Sequence, residues 1–156
     1  MTTVTVTLPS KPDAHLNTGS ARAALHAVTA GLARPQHRSA ERPYALAGAD
    51  AVSAHAHMDT ADLTDDTAVT AAADLLADLL HLATAAKIPT GHLRTLCDRH
   101  RTGALVPATP ADRTTAEGIA MTWNNVCRWL KAKGLDVPTA LHMAHRYFNT
   151  ETVPAP

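Results

Sequence analysis

The chain has 156 residues, a formal net charge of zero, 46% hydrophobic residues and only 3% aromatic ones. This length suits one ordinary domain able to bury about two-thirds of its unfolded surface, so no second domain is needed. A core drawn from Leu, Val and Ala with so few rings favours close-packed helices over sheets.

The neutral total hides an asymmetry. Residues 1–85 carry Lys11, Arg22, Arg34, Arg38 and Arg42 against nine acidic groups, a net of −4, and residues 86–156 carry the balancing +4. Two oppositely charged surfaces of one domain explain this, and the acidic first half argues against a dedicated polyanion binder. The two cysteines, Cys97 and Cys127, lie at apolar helix positions without Cys-x-x-Cys spacing. They read as buried thiols of a reducing compartment. No unbroken apolar run approaches the roughly 18 to 20 residues of a membrane span, and the N-terminus lacks the blocks of a signal peptide. The expected location is therefore the cytoplasm, with no membrane partner.

In chain order, Thr2 to Leu8 alternates Val4, Val6 and Leu8 with threonines, the period of a short strand that Pro9 ends. Residues 1–19 are read as a flexible or strand-like segment. Ser20 is a suitable N-cap for a helix through Ala33, with Ala21, Leu25, Val28 and Leu32 on one face; Arg34 to Pro43 reads as a linker. Tyr44 to Met58 is alanine-rich and compatible with a helix of uncertain burial, since large apolar groups are few. Together these make a segment of helix and linker over 20–63.

A helical bundle is expected over 64–150. Thr64 caps a helix that opens with Asp65 and Asp66 and runs to about Ala86, with Val69, Ala72, Ala73, Leu76, Leu79, Leu80 and Ala83 at helical spacing. Leu75 and Leu82 widen its stripe enough to meet two neighbours, which makes it the central helix. A second helix spans Gly91 to Arg101, buries Leu93, Leu96 and Cys97 with His100 a further inward candidate, and ends at Gly103. Thr109, Pro110 and Asp112 open a third, which runs to Lys133 with Ile119, Trp123, Val126, Cys127 and Leu130 inward. Gly134 and Leu135 fit a left-handed cap with its hydrophobic contact. Pro138 then begins a last helix to about Asn149, with Val137, Leu141, Ala144 and Phe148 inward. Ile88-Pro89-Thr90 and Val137-Pro138-Thr139 stand 49 residues apart, each after a long helix. The expected fold class is thus all-α: two similar helical hairpins over 64–149 with an additional N-terminal helix.

The stretch Asp74-Leu75-Leu76-Ala77-Asp78-Leu79-Leu80-His81-Leu82-Ala83, with Gly134-Leu135-Asp136, Ala140-Leu141, Ala144, Tyr147 and Glu151, resembles small uncharacterised helical proteins of actinobacteria and their plasmids and phages. The resemblance covers about half the chain. It implies a mobile-element setting and transfers no activity.

Candidate chemistry is sparse. His55-Ala56-His57-Met58-Asp59 resembles the first metal-ligand cluster of metallo-β-lactamase-like hydrolases, but Thr60 stands where those enzymes place another histidine, and the large β sandwich has no counterpart here. Asp74, Asp78 and His81 share a helix face, as do His142 and His145, and Cys97 and His100. Each group supplies too few zinc ligands, and solvated faces, ion pairs and core histidines account for them better, so no metal or cofactor is assigned. There is no nucleophile elbow and no phosphate loop, so catalysis is disfavoured. Glu117 to Ala120 and Val126 to Leu130 share the vocabulary of a helix-turn-helix, yet Ala120 and Val126 are only six residues apart where that motif needs roughly ten. One continuous helix explains them better.

The first reading is a non-catalytic helical protein that binds a protein partner or a second copy of itself. Trp129 and Tyr147, on the flanks of their stripes, are the expected contact residues. The alternative is nucleic-acid binding through Arg94, Arg101, Arg128, Lys131 and Lys133, joined by Arg99, Arg113 and Arg146, with Asn124 and Asn125 available for hydrogen bonds.

Overall fold

A computed structural model describes residues 18–32, 41–102 and 115–152. The described residues form six α-helices and one short 3₁₀ turn, with no strand among them: α1 (Thr18–Leu32), α2 (Glu41–Ala56), the turn Thr60–Asp62, α3 (Asp65–Ala85), α4 (Thr90–Arg101), α5 (Thr115–Ala132) and α6 (Val137–Thr152). The all-α fold is as expected. The expected strand at Thr2 to Leu8 and the caps at Gly103 and Thr109 to Asp112 lie outside the described residues. Ser20 falls inside α1, two residues after its first, and α2 begins at Glu41, within the stretch read as linker.

Helix α3 is central. Thr64 caps it by accepting a hydrogen bond from the Thr67 amide, and Leu75, Leu76, Leu79 and Leu82 are fully buried. The helix is also long and apolar enough, by length and composition, to cross a membrane. Counting unbroken runs overlooks this because Asp74 and Asp78 interrupt them. Here its apolar faces are covered by α1, α6, α5 and α2, the first two most extensively. One cluster of buried side chains runs from Ala21 in α1 through α2, α3 and α5 to Ala144 in α6.

Helix α2 is buried despite its few large side chains. Tyr44, Ala47, Ala51 and Val52 face inward, and Gly48 lies so close to α5 that a Cβ there would sit 2.1 Å from the Asn125 carbonyl oxygen. At Gly31 of α1, likewise, a Cβ would meet the Ala47 oxygen at 2.9 Å. Small residues let these backbones approach, and proximity replaces side-chain bulk as the source of burial.

Three helices end alike, with a residue in the left-handed region followed by an apolar one. His57 (φ 55), Lys87 (φ 58) and Gly134 (φ 72) occupy the turn. The amides of Met58, Ile88 and Leu135 donate back to the carbonyls of Ser53, Ala83 and Leu130 at 3.2, 2.9 and 2.9 Å. These are Schellman closures, which satisfy carbonyls the helix leaves open. They also revise the register of the internal repeat. Lys87 matches Gly134, and the starts of α4 and α6 match, at an offset of 47 residues, so the two Pro-Thr pairs 49 apart are not structurally equivalent.

Within 64–149 the closest pairs are α3 with α6 and α4 with α5, while α5 and α6, neighbours in the chain, barely touch. The wide leucine stripe of α3 is what draws α6 across to it. Meanwhile α4 lies on α5 through Leu96, Ala116 and Ala120.

Candidate functional site

Two features stand apart from the packed core. The first follows from the nested pairing: with α6 held by α3 and α4 held by α5, a groove of about 220 Å³ remains between α4 and α6. Among the described residues it is lined by Leu80, Thr90, Leu93, Arg94, Cys97, Ile119, Trp123 and His145, mostly apolar and with no carboxylate among them. The half-buried Trp123 ring stands 6.2 Å from the His145 ring.

Of the expected contact aromatics, Trp129 is only 6% exposed, whereas Tyr147, like Trp123, is half-buried. Helix α5 is gripped by α2 on one side and α4 on the other, so the flank of its stripe is covered as well. Trp123, expected inside, is the ring that faces the groove.

The basic residues do not converge on one face. Arg94 stands at the groove, Arg101 pairs with Asp98 at 2.8 Å, and the Arg128 guanidinium lies 4.4 Å from the centre of the Tyr44 ring. Lys131 and Lys133 are exposed near the end of α5, the latter with its ammonium 5.9 Å from the Trp129 ring centre. Arg99 and Arg146 are exposed on α4 and α6, and Arg113 lies outside the described residues. Neither asparagine is available to a base: the Asn124 amide donates to the Cys97 carbonyl at 2.8 Å, and Asn125 is buried. The segment carrying the helix-turn-helix vocabulary is one continuous helix, as its spacing predicts.

The second feature is a histidine–carboxylate cluster where α2, α3 and α6 meet. Asp74, Asp78 and His81 recur at helical spacing along one face of α3. His55, in the last turn of α2, brings Nε2 to 2.6 Å from the Asp78 Oδ2. Glu151, in the last turn of α6, reaches to 3.4 Å from His81 Nε2. His81 is 1% exposed, tilted against the Phe148 ring, and beyond the Glu151 contact neither of its ring nitrogens makes a hydrogen bond among the described residues. The Asp74 carboxyl is held above its usual range, first by burial; His55 opposes that rise, while repulsion from Asp78 and Glu151 adds to it.

The apparent His55-x-His57 motif dissolves in this arrangement. His57 is the exposed left-handed residue ending α2, and Asp59 caps the 3₁₀ turn by accepting from the Ala61 amide. Only His55 joins the cluster. The other spacings weighed as ligands stay apart from it: His142 and His145 are exposed on α6, and His100 is buried edge-on against Tyr44. What the sequence did not connect is His55 and Glu151 with α3. The available signal was the presence of two aspartates and a histidine at helical spacing inside the most apolar helix of the chain.

Both thiols are pushed up, Cys97 to about 11 and Cys127 to about 12, chiefly by burial. They are protonated at neutral pH and poorly nucleophilic. Comparison with protein-family models, with curated proteins and with solved structures gives no match for this chain.

Proposed function

We propose that the protein acts by binding rather than by catalysis, and that the groove between α4 and α6 receives a protein partner. The observation that carries this reading is the groove itself: an apolar trough with Trp123 on its wall, Arg94 and His145 at its edge, and no carboxylate among its described lining residues. That chemistry suits an acidic amphipathic segment, which lays an apolar side chain against Leu93 and Trp123 and sets a carboxylate near Arg94. A half-exposed tryptophan in a concave site is a common binding anchor. A mobile-element setting and a cytoplasmic location belong to the same reading.

Nucleic-acid binding is the weaker alternative because Arg101 and Arg128 are engaged within the chain and the remaining basic groups are divided among three helices.

The test is capture from a cell lysate of the source organism by wild-type protein and by variants, with identification of what is retained. A partner lost with Leu93→Asp and with Arg94→Glu, but kept with Arg22→Glu on α1, supports the groove. Retention that is the same for all four proteins overturns it.

A further inference from the structure

We propose that Asp78, His81 and Glu151 bind one divalent transition-metal ion of the zinc class, with His55 holding Asp78 in position. One ligand atom from each of the three residues lies within 4.8 Å of the others. Ligands about 2.0 to 2.2 Å from zinc stand roughly 3.5 Å apart in a tetrahedron. Closing the set is therefore a matter of about an ångström, and Glu151, the most exposed of the three, has the side-chain freedom to supply it.

Three further observations point to a cation. First, His81 is buried to 1% exposure with no hydrogen bond to either ring nitrogen, although an unsatisfied buried imidazole is costly and uncommon. A metal–nitrogen bond at Nε2, the nitrogen that faces Glu151, would satisfy one of the two. Second, Glu151 sits in the final turn of α6, the negative end of the helix dipole, where the last turn holds no basic residue. Third, Asp74 adds another carboxyl beside Asp78 and Glu151, and a bound dication would relieve that crowding.

The donor set selects the class. A buried imidazole beside two carboxylates is foreign to calcium and magnesium, which take oxygen shells, and the absence of sulfur from the set disfavours copper(I). The 2.6 Å contact of His55 with Asp78 has the form of an outer-shell hydrogen bond that orients a ligating carboxylate. Three protein ligands leave a coordination position for water or an exogenous donor.

The experiment titrates metal-stripped full-length protein with zinc chloride, and with cobalt chloride to read visible d–d absorption, alongside thermal unfolding at each metal concentration. The expected result is one equivalent bound, with a melting temperature that rises with metal. Glu151→Gln and Asp78→Asn should each weaken binding at least ~10-fold and abolish the metal-dependent rise, and His55→Asn should weaken it several-fold. Glu151→Gln should leave the metal-free melting temperature unchanged, which separates ligation from folding. His26→Ala and His142→Ala, at exposed histidines elsewhere, should bind as the wild type does. Binding that survives Glu151→Gln and Asp78→Asn, or falls equally in the two control variants, overturns the proposal, as does a melting temperature indifferent to metal.

Discussion

Helices α2 and α3 are both buried, by opposite means. In α3 fully buried leucines, beside several buried alanines, fill the core, whereas α2 buries mainly alanine and glycine by bringing its backbone against α1 and α5. A leucine interface tolerates a gap at some cost. A backbone-to-backbone crossing has no side chain to yield.

The largest expected effect breaks the α2 side. Gly48→Ala places a methyl carbon 2.1 Å from the Asn125 oxygen, so the helices must part. The cost should exceed the ~3 kcal/mol upper range of ordinary overpacking, read as a lost or strongly lowered cooperative transition in urea. On the α3 side, Leu76→Ala removes a fully buried side chain and leaves a cavity, for about 3 kcal/mol by the same measurement. If Gly48→Ala proves the milder of the two, the contrast between these helices is wrong.

A third prediction concerns α4 and α5, whose packing includes thiols. The folded-state values of Cys97 and Cys127 are raised above the ordinary 9.0, to about 11 and about 12. Folding therefore favours the protonated form, and this contribution is whole below pH 9 and lost as pH rises through 11 to 12. By pH 10 the loss is on the order of 1 kcal/mol per thiol. Melting temperature followed from pH 8 to 11 should fall, and Cys127→Ala should flatten the slope relative to wild type whatever its effect on absolute stability.

The smallest effects sharpen the comparison among glycine positions. Lys87 holds a left-handed turn that Gly134 holds elsewhere, so Lys87→Gly should stabilise the protein by about 0.5 to 1 kcal/mol. At Gly91, where an added Cβ meets nothing within 4 Å, Gly91→Ala should gain about 0.5 kcal/mol. Both are read as raised melting temperatures. They contrast with Gly48, where the same added methyl is ruinous.

Legibility in the sequence followed the same division. The Thr64 cap, the leucine stripe of α3 and the Gly134 turn are local patterns, and each is where its residues predict. The burial of α2 was not legible because alanine is equally at home on a surface, and only the partner backbone decides. Lys87 as a left-handed turn was hidden too, since nothing in a lysine signals positive φ. For the cluster, Asp74, Asp78 and His81 were visible as one face. His55 is 23 residues from Asp78 and reaches it where α2 packs on α3, and Glu151 arrives from the far end of α6, so the cluster depends on which helices pair with α3.

The nesting of α4 and α5 between α3 and α6 also bears on how the molecule comes apart. Were α3 paired with α4 and α5 with α6, each half could detach and still keep its own interface. As built, α6 is held by α3 and α4 by α5, while α3 also packs on α1 and α2 straps α5 to α1. The chain should therefore melt in a single step, with calorimetric and van't Hoff enthalpies in agreement, and fragments cut between α4 and α5 should fail to fold separately.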